Sequence, residues 1–535
     1  MPDLPPLFLA LPIACLLALG LIPSQWCNRH RPLVRRLVTQ IVGLQAGLAG
    51  IALAMLLLSG EAAVYTGLWQ LWSEWPVGLS IYYDGVSGLM LTLVSFIGWV
   101  ICRFSIRYLD GEFTQGRYFR WAAFTIGAVS LMVISGNLLM FVVAWVLTSL
   151  GLHQLLLHYS HRPAAQRAAW SKFTISRLGD VALLVALVLT FLQFSTFEFE
   201  AIFALLEADR LAGLAPTAQR IWIGSLIVFG ALTKSAQFPF HTWLPQTMET
   251  PTPVSALMHA GIVNAGGYLI IRTSPIVAEA TYALAALAII GAFTACFAAI
   301  VMLTQTSIKQ SLAYSTIAQM GFMMLQCGLG AYSAAMVHIL AHSLYKAHAF
   351  LSSGSVLTHR ASVAGTHPIP QGDHSAAGLA SILRLLAAAT STVTIFLAVM
   401  FALGLSLTNK PGGILLGGLL CLALSHWLWS VWSTGNRRVL LTGIGTVALL
   451  SLAYGTSFQI IDAIVTRTVV PTAGGVPLGI VLAIVLVGFG SLLLLHIGLA
   501  GSLRPRWLST LYVHAANGFY VEPALRRLIG TLASN

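Results

Sequence analysis

Charge is what this sequence has least of: only 8% of its 535 residues are Asp, Glu, Lys or Arg, and 57% are hydrophobic, with a mean hydropathy of +0.85. No soluble core hides that much apolar surface, so the composition excludes a soluble globular domain and predicts an all-α polytopic membrane protein. Acidic residues are scarcer than basic ones, 16 against 28, for a net charge of +12. In a soluble chain that excess would point to nucleic acid. Here most cations sit in short clusters between apolar runs, as the positive-inside rule requires, so the partner they imply is membrane lipid and not nucleic acid. The six cysteines (Cys15, Cys27, Cys102, Cys296, Cys327, Cys421) stand singly with no CxxC pair, which excludes a disulfide framework and an iron–sulfur site. Nucleotide and flavin motifs are missing too, so no cofactor is expected in this chain. The residues ahead of the first apolar run, 7–22, include Asp3 but no Lys or Arg, and the run is read as a first span in place of a signal peptide.

Apolar runs of membrane-crossing length begin near residues 7, 37, 86, 119, 138, 173, 221, 254, 281, 311, 332, 380, 412, 438 and 477, which predicts about fourteen to fifteen transmembrane helices. Counted from outside, the cytoplasmic loops hold Arg29, Arg31, Arg35 and Arg36, then Arg103, Arg107, Arg117 and Arg120, then Arg162, Arg167 and Lys172, and later Lys309, Arg360, Arg437 and Arg438. The opposite loops carry Glu61, Glu74, Glu198, Glu200, Glu207 and Asp209. This asymmetry places the N-terminus outside and the C-terminus on the cytoplasmic side of the membrane. Five regions follow: N-terminal helices at 1–118, a polar-punctuated core at 119–360, a Gly-, Pro-, Ser- and His-rich linker at 361–377, blander helices at 378–500, and an amphipathic tail at 501–535 along the cytoplasmic surface.

Residues 230–272 place Lys234, several prolines, His241, Glu249 and His259 inside an apolar run. An ionisable side chain at bilayer depth costs from ~2.5 kcal/mol upward, and a broken helix there needs protein or water to satisfy its freed backbone groups. Pro239 and Pro245 predict such a break, with Lys234 about halfway between the span's start and it. A desolvated lysine exchanges its proton closer to neutral pH than a solvated one. The bland alternative is a lysine snorkelling to the interface, against which Phe238, Phe240 and Trp243 continue the apolar run beyond it.

In HILAHSLYKAHAFL, His338, His342 and Lys346 recur at i, i+4 and i+8 and so share one helical face. The stripe reads as a proton relay, with packed core histidines as the bland alternative. A zinc site is disfavoured because no carboxylate or thiolate adjoins the pair and a lysine one turn on repels a cation. No metal site is therefore assigned. In ISRLGD, Arg177 and Asp180 form an i, i+3 pair able to tune a neighbouring lysine. Asp84 and Lys309, at span ends, read as solvated anchors.

Taken together, SGNLLMFVVAW, SRLGD, KSAQFPFHTWLPQTMETPTPVSALMHAG, IKQSLAYSTIAQMGFM and HILAHSLYKAHAFLSSGSV resemble the antiporter-like membrane subunits shared by respiratory complex I and Mrp-type cation/proton antiporters. The resemblance covers about residues 80–360. It implies discontinuous helices that conduct protons through buried lysines and histidines, with Lys234, His259, His338, His342 and Lys346 on the family's functional positions. Two features depart from the pattern. The family usually has Trp-Glu after the Asn-Leu-Leu motif, and that glutamate partners the broken-helix lysine, whereas this chain has Trp145 and Val146. The later Gly-Phe-Phe-Ser-Lys-type motif has no counterpart in 378–432. Asp180 and Glu249 remain as possible counter-charges for Lys234.

Within that family the chain is similar to the B subunit of the DAB inorganic carbon accumulation complexes. That likeness implies no enzyme activity of its own but a proton- or cation-conducting subunit. It would energise CO2/bicarbonate uptake by a large peripheral, carbonic-anhydrase-like partner (DabA-type) that holds the zinc. The alternative is a proton-translocating subunit of an NADH–quinone oxidoreductase-like or Mrp-type complex.

Overall fold

A computed structural model of the chain describes residues 4–72, 75–354, 379–406, 412–432, 436–469, 483, 485, 487–491, 506–525 and 527. The linker expected at 361–377 and most of the run expected from residue 477 lie outside them. Nearly everything else is helix. The N-terminal part comprises α1 (Leu4–Leu21), α2 (Ser24–Arg29), α3 (Arg31–Ser59), α4 (Gly85–Tyr108), α5 (Gln115–Ile134), α6 (Leu138–Leu156), α7 (Pro163–Phe194), α8 (Phe199–Leu211) and α9 (Ala218–Lys234). Beyond them come α10 (Thr252–Ala260), α11 (Ala265–Arg272), α12 (Ser274–Val277), α13 (Thr281–Thr304), α14 (Ile308–Gly328) and α15 (Tyr332–Leu351). The last helices are α16 (Leu379–Ala402), α17 (Gly413–Trp432), α18 (Arg437–Val465) and α19 (Arg506–Ala516).

Among the described residues nine helical segments are long and apolar enough to cross a membrane, with α10 and α11 together forming one of them. The helices α1, α5, α9, α14 and α15, 17 to 21 residues long, pack into the same bundle and are more polar or shorter. One element departs from the all-helical pattern: β1 (Ala63–Trp72) and β2 (Trp75–Asp84) pair as an antiparallel hairpin between α3 and α4. Aromatic and β-branched residues in alternation favour strand there.

Helix starts follow local chemistry. Asp84 and Ser87 form a reciprocal capping box at α4, the Asn137 side chain accepts from the Met140 amide at α6, and proline occupies the first turn of α3 and α7. The arginine-rich connections gather at one end of the bundle, where Arg31 donates to the Glu112 carbonyl, Arg35 pairs with Asp110 and Arg120 donates to Gly20 and Ser24. Glu198 holds Tyr65, Ser80 and Asn137 together elsewhere, where the hairpin meets the start of α6. The α13–α14 interface is backbone against backbone: a Cβ on Gly321 would lie 2.5 Å from the Ala295 nitrogen. Only glycine permits that approach. The tail helix α19 leads into a turn at Gly518–Tyr520, and the Phe519 ring packs 5.6 Å from Phe297 of α13.

Two sequence expectations are corrected by burial. Asp84 is not a solvated anchor: it is fully buried and takes a bidentate contact from Arg272 at 2.7 and 3.0 Å, with Thr468 donating at 2.7 Å. Arg272 reaches it from the end of α11, which the sequence read only as the edge of an apolar run. Lys172 is not a loop cation either, because α7 begins nine residues before it and carries it inward until it is 1% exposed. Lys309 is half-buried and donates to the Thr250 carbonyl at 3.2 Å.

The Asp84–Arg272 fork joins the hairpin, α4, α11 and the segment after α18. Breaking a buried pair by removing one partner costs about 3–5 kcal/mol. Arg272→Met and Asp84→Asn should therefore each lower the thermal unfolding midpoint of the detergent-solubilised protein, and the double variant should recover part of the loss. Unchanged midpoints in both single variants would show that the pair contributes nothing.

Candidate functional site: a lysine at a helix break

The helix α9 ends at Lys234, so the lysine is the last helical residue and not midway along the span. Ala236 takes a left-handed backbone conformation (φ 50°), and the chain continues through short 3-10 turns at Phe240–Trp243 and Pro245–Glu249 before α10 begins. A second interruption follows, at Gly261 and the turn Ile262–Asn264, which separates α10 from α11. Prolines announce the first break. The second follows no proline and falls at Gly261, two residues after His259.

Lys234 is 4% exposed. Its ammonium donates to the Trp145 carbonyl at 3.2 Å and lies 4.3 Å from the Trp145 ring centroid. The same indole donates Nε1–H to Asp180 Oδ1 at 3.0 Å, and Asp180 is paired with Arg177 at 2.5 Å. Carbonyl, π-face and a nearby carboxylate are thus the polar surroundings of an otherwise dry lysine. Close packing makes the cluster possible: a Cβ on Gly179, next to Asp180, would lie 2.1 Å from Thr233 Oγ1, next to Lys234. With Val146 in place of a glutamate, Asp180 is the carboxylate beside the lysine, bridged through Trp145. Glu249 instead pairs with Arg162 at 2.9 Å, half-exposed.

The other half of the site is built where α10, α14 and α15 meet. His259, fully buried at the second break, stacks on Phe350 (4.4 Å) with Nδ1 3.1 Å from Thr316 Oγ1. His338 and His342 rings lie 5.9 Å apart, and His338 Nδ1 meets Gln326 Oε1 at 3.0 Å. Lys346 donates to the Leu312 carbonyl at 3.1 Å. His342 is within electrostatic range of His338, Lys346 and His259, so the face read from the i, i+4, i+8 spacing converges with the break. His348 points outward and is exposed. His241 lies at the first break, buried against Phe238 and Phe297.

Polar residues that the sequence did not single out join the two halves. Ser235 donates to the Val263 carbonyl at 2.6 Å, and Asn264 donates to Ser343 Oγ at 2.7 Å and the Ala260 carbonyl at 3.0 Å. One buried ring nitrogen in each of His241, His259 and His342 has no protein partner. Buried polar atoms in proteins are as a rule paired with protein or water, so these three ring nitrogens, set at the breaks, mark places suited to a water or a transferred proton. Among the described residues no three His, Cys, Asp or Glu side chains converge as metal ligands. The arrangement suits proton exchange between fixed nitrogen bases far better than covalent chemistry.

Comparison with known proteins agrees with this geometry. The family model described as NADH:quinone oxidoreductase/Mrp antiporter, transmembrane, matches residues 135–405. The model for the N-terminus of complex I chain 5 matches residues 69–119. The chain is 37% identical over 532 residues to the probable inorganic carbon transporter subunit DabB2 of Halothiobacillus neapolitanus, covering 98% of this chain and 93% of that protein. It is 35% identical over 328 residues to NADH-quinone oxidoreductase subunit L of Escherichia coli, covering 60% of this chain and 53% of that one. A chain in the structure of the Mrp complex from Dietzia sp. DQ12-45-1b shares the fold, with a TM-score of 0.65 at 23% identity over 98% of this chain and 59% of that one. The protein is thus a multi-pass membrane protein, and it belongs to the antiporter-like membrane subunit family shared by NADH:quinone oxidoreductases and Mrp antiporters.

Proposed function

We propose that this chain conducts protons, or another cation, across a bacterial inner membrane and energises inorganic carbon uptake by a peripheral partner. The observation that carries the carbon-uptake reading is the match to a probable inorganic carbon transporter subunit over almost the full length of both chains. The match to the oxidoreductase subunit stops near 60% of this chain. Conduction is supported by bases set along the two breaks: buried Lys234 and His241 at the first, buried His259 at the second, and from α15 buried His342 and Lys346 with half-buried His338 facing it. Each can hold a proton, and the freed carbonyls and orphan ring nitrogens between them can hold water. Arg177 and Asp180 set the charge at Lys234.

The partner in this reading is large, soluble and carbonic-anhydrase-like, and it holds the zinc that hydrates CO2. In this reading the zinc chemistry is the partner's and the ion conduction is this chain's. The second reading, a proton-translocating subunit of a quinone oxidoreductase or an Mrp-type antiporter, is favoured by the family model over residues 135–405.

Lys234→Ala and Lys346→Ala, in the complex reconstituted into liposomes with a pH-sensitive dye, should each lower proton flux about a hundredfold while assembly stays normal, since each removes a positioned proton carrier. Flux equal to wild type in both variants would mean that the lysines do not conduct. Affinity purification under mild detergent should bring down a zinc-containing soluble protein. Recovery of quinone-oxidoreductase subunits instead would replace the first reading with the second.

A further inference from the structure

The helix α6 anchors two lysines, not one. Lys234 donates to the carbonyl of Trp145. One turn further along, the carbonyl and hydroxyl of Ser149 accept from Lys172, at 2.8 and 2.5 Å. A turn beyond that is His153, whose Nδ1 lies 3.2 Å from the carbonyl of Ala169, three residues before Lys172 on α7. Positions 145, 149 and 153 fall at i, i+4 and i+8 and so share one face of α6. Along that face the order is Lys234, Lys172, His153. It runs from the helix break toward the end of α6 that leads into the loop of Arg162, whose partner is Glu249.

Lys172 is among the largest fully buried side chains of the protein. Burial of an ammonium away from water is costly unless its donors are met, and here only Ser149 meets them. A lysine serving as an interfacial anchor would reach for solvent. This one is turned inward, within electrostatic range of Lys234, Asp180 and Arg177. Two lysines and an arginine thus lie within electrostatic range of one carboxylate, which Arg177 pairs directly. His153 lies within range of Lys172 and Arg177 and is covered edge-on by Trp170 (5.4 Å) and by Phe173 (5.2 Å).

We propose that Lys172, with His153, forms a proton-carrying branch along one face of α6, from the arginine-rich surface to Lys234. The inference rests on the conducting role proposed for Lys234 and adds its supply route. The step between the lysines moves one proton through an intervening water: an N–H bond of the Lys172 ammonium breaks with its electron pair staying on Nζ, the water takes that proton, and the same water gives one of its own to the neutral Lys234 amine. The pair carries one positive charge before and after. Ser149 holds the Lys172 amine during the exchange, and Asp180 takes no part in the proton's path.

The test uses the intact complex in liposomes with an internal pH-sensitive dye. Lys172→Arg keeps the charge and the contact with Ser149 but cannot release a proton near neutral pH, and Lys172→Met removes both. Both variants should conduct at least about tenfold more slowly than wild type, with Lys172→Arg assembling normally, because a positioned proton carrier is lost. His153→Gln should slow flux and flatten its dependence on pH at the arginine-rich face. A purely structural Lys172 would be rescued by arginine, so Lys172→Arg conducting within about twofold of wild type, while Lys234→Ala is inactive, overturns the branch and leaves the conducting role of Lys234 standing. Wild-type flux in Lys234→Ala would overturn the underlying reading instead.

Discussion

A helix that stops inside an apolar bundle leaves its last carbonyls without partners and its dipole unanswered, and much of this molecule's polar interior is arranged around that problem. Lys234 occupies the last position of α9, where a cation meets the negative end of the helix dipole. Its own charge then needs an answer, which comes from α6 and α7: the Trp145 carbonyl and indole, with Asp180 beyond. Gly179 lets α7 and α9 approach closely enough for this, and a Cβ on Gly266 would lie 2.3 Å from Ser235 Oγ, so α11 closes on the end of α9 in the same way. One lysine thus explains an aspartate, two glycines and a tryptophan that composition alone leaves unconnected.

The second break repeats the logic with different chemistry. Asn264 takes up the Ala260 carbonyl that α10 releases and hands its other donor to Ser343, so the interruption is met by α15 rather than by solvent. That places His259 beside the His338–His342–Lys346 face. The face is polar on one side only, and α14 supplies its acceptors: the Leu312 carbonyl, the Thr316 hydroxyl and the Gln326 amide oxygen. The titratable groups are held by neutral partners there, with no carboxylate among the contacts described. Neutral partners leave a base free to change its charge, where a salt bridge would pin it.

How much of this was legible beforehand follows from what periodicity and punctuation encode. The broken helix announced itself through Pro239 and Pro245, and the face of α15 through the 338, 342, 346 spacing. Both are local features of one segment. Lys172 and Asp84 were misread for the opposite reason: each stands near an apparent span end, and burial there depends on other segments. Lys172 is covered because α7 starts well before its apolar run does, and Asp84 because Arg272, almost two hundred residues later, returns to it. The hairpin at 63–84 escaped because its alternation is short and sits between two helical runs. Asn264, Ser343 and Ser149 carry no signal of their own, since a single small polar residue in a membrane helix is common and only its partner gives it meaning.

The absent glutamate at Val146 looks at first like the loss of a charge partner, yet the geometry turns it into a change of sign. A glutamate beside Lys234 would bind the proton's charge in a pair and release it when a neighbouring field changed. Here the group anchored on the next turn is another lysine. Sites one turn apart on a helix lie about 6 Å apart along its axis, and two unit charges at that separation repel by about 3 kcal/mol at an effective dielectric of 20. Repulsion of that size would disfavour two charged lysines by roughly two orders of magnitude, so in the proposed branch a proton arriving on one would displace the proton on the other. Asp180, held by Arg177 and Trp145, keeps the pair from losing both charges. A glutamate–lysine pair would store a proton by attraction; in the proposed branch, a lysine–lysine pair beside an aspartate would pass one by exclusion.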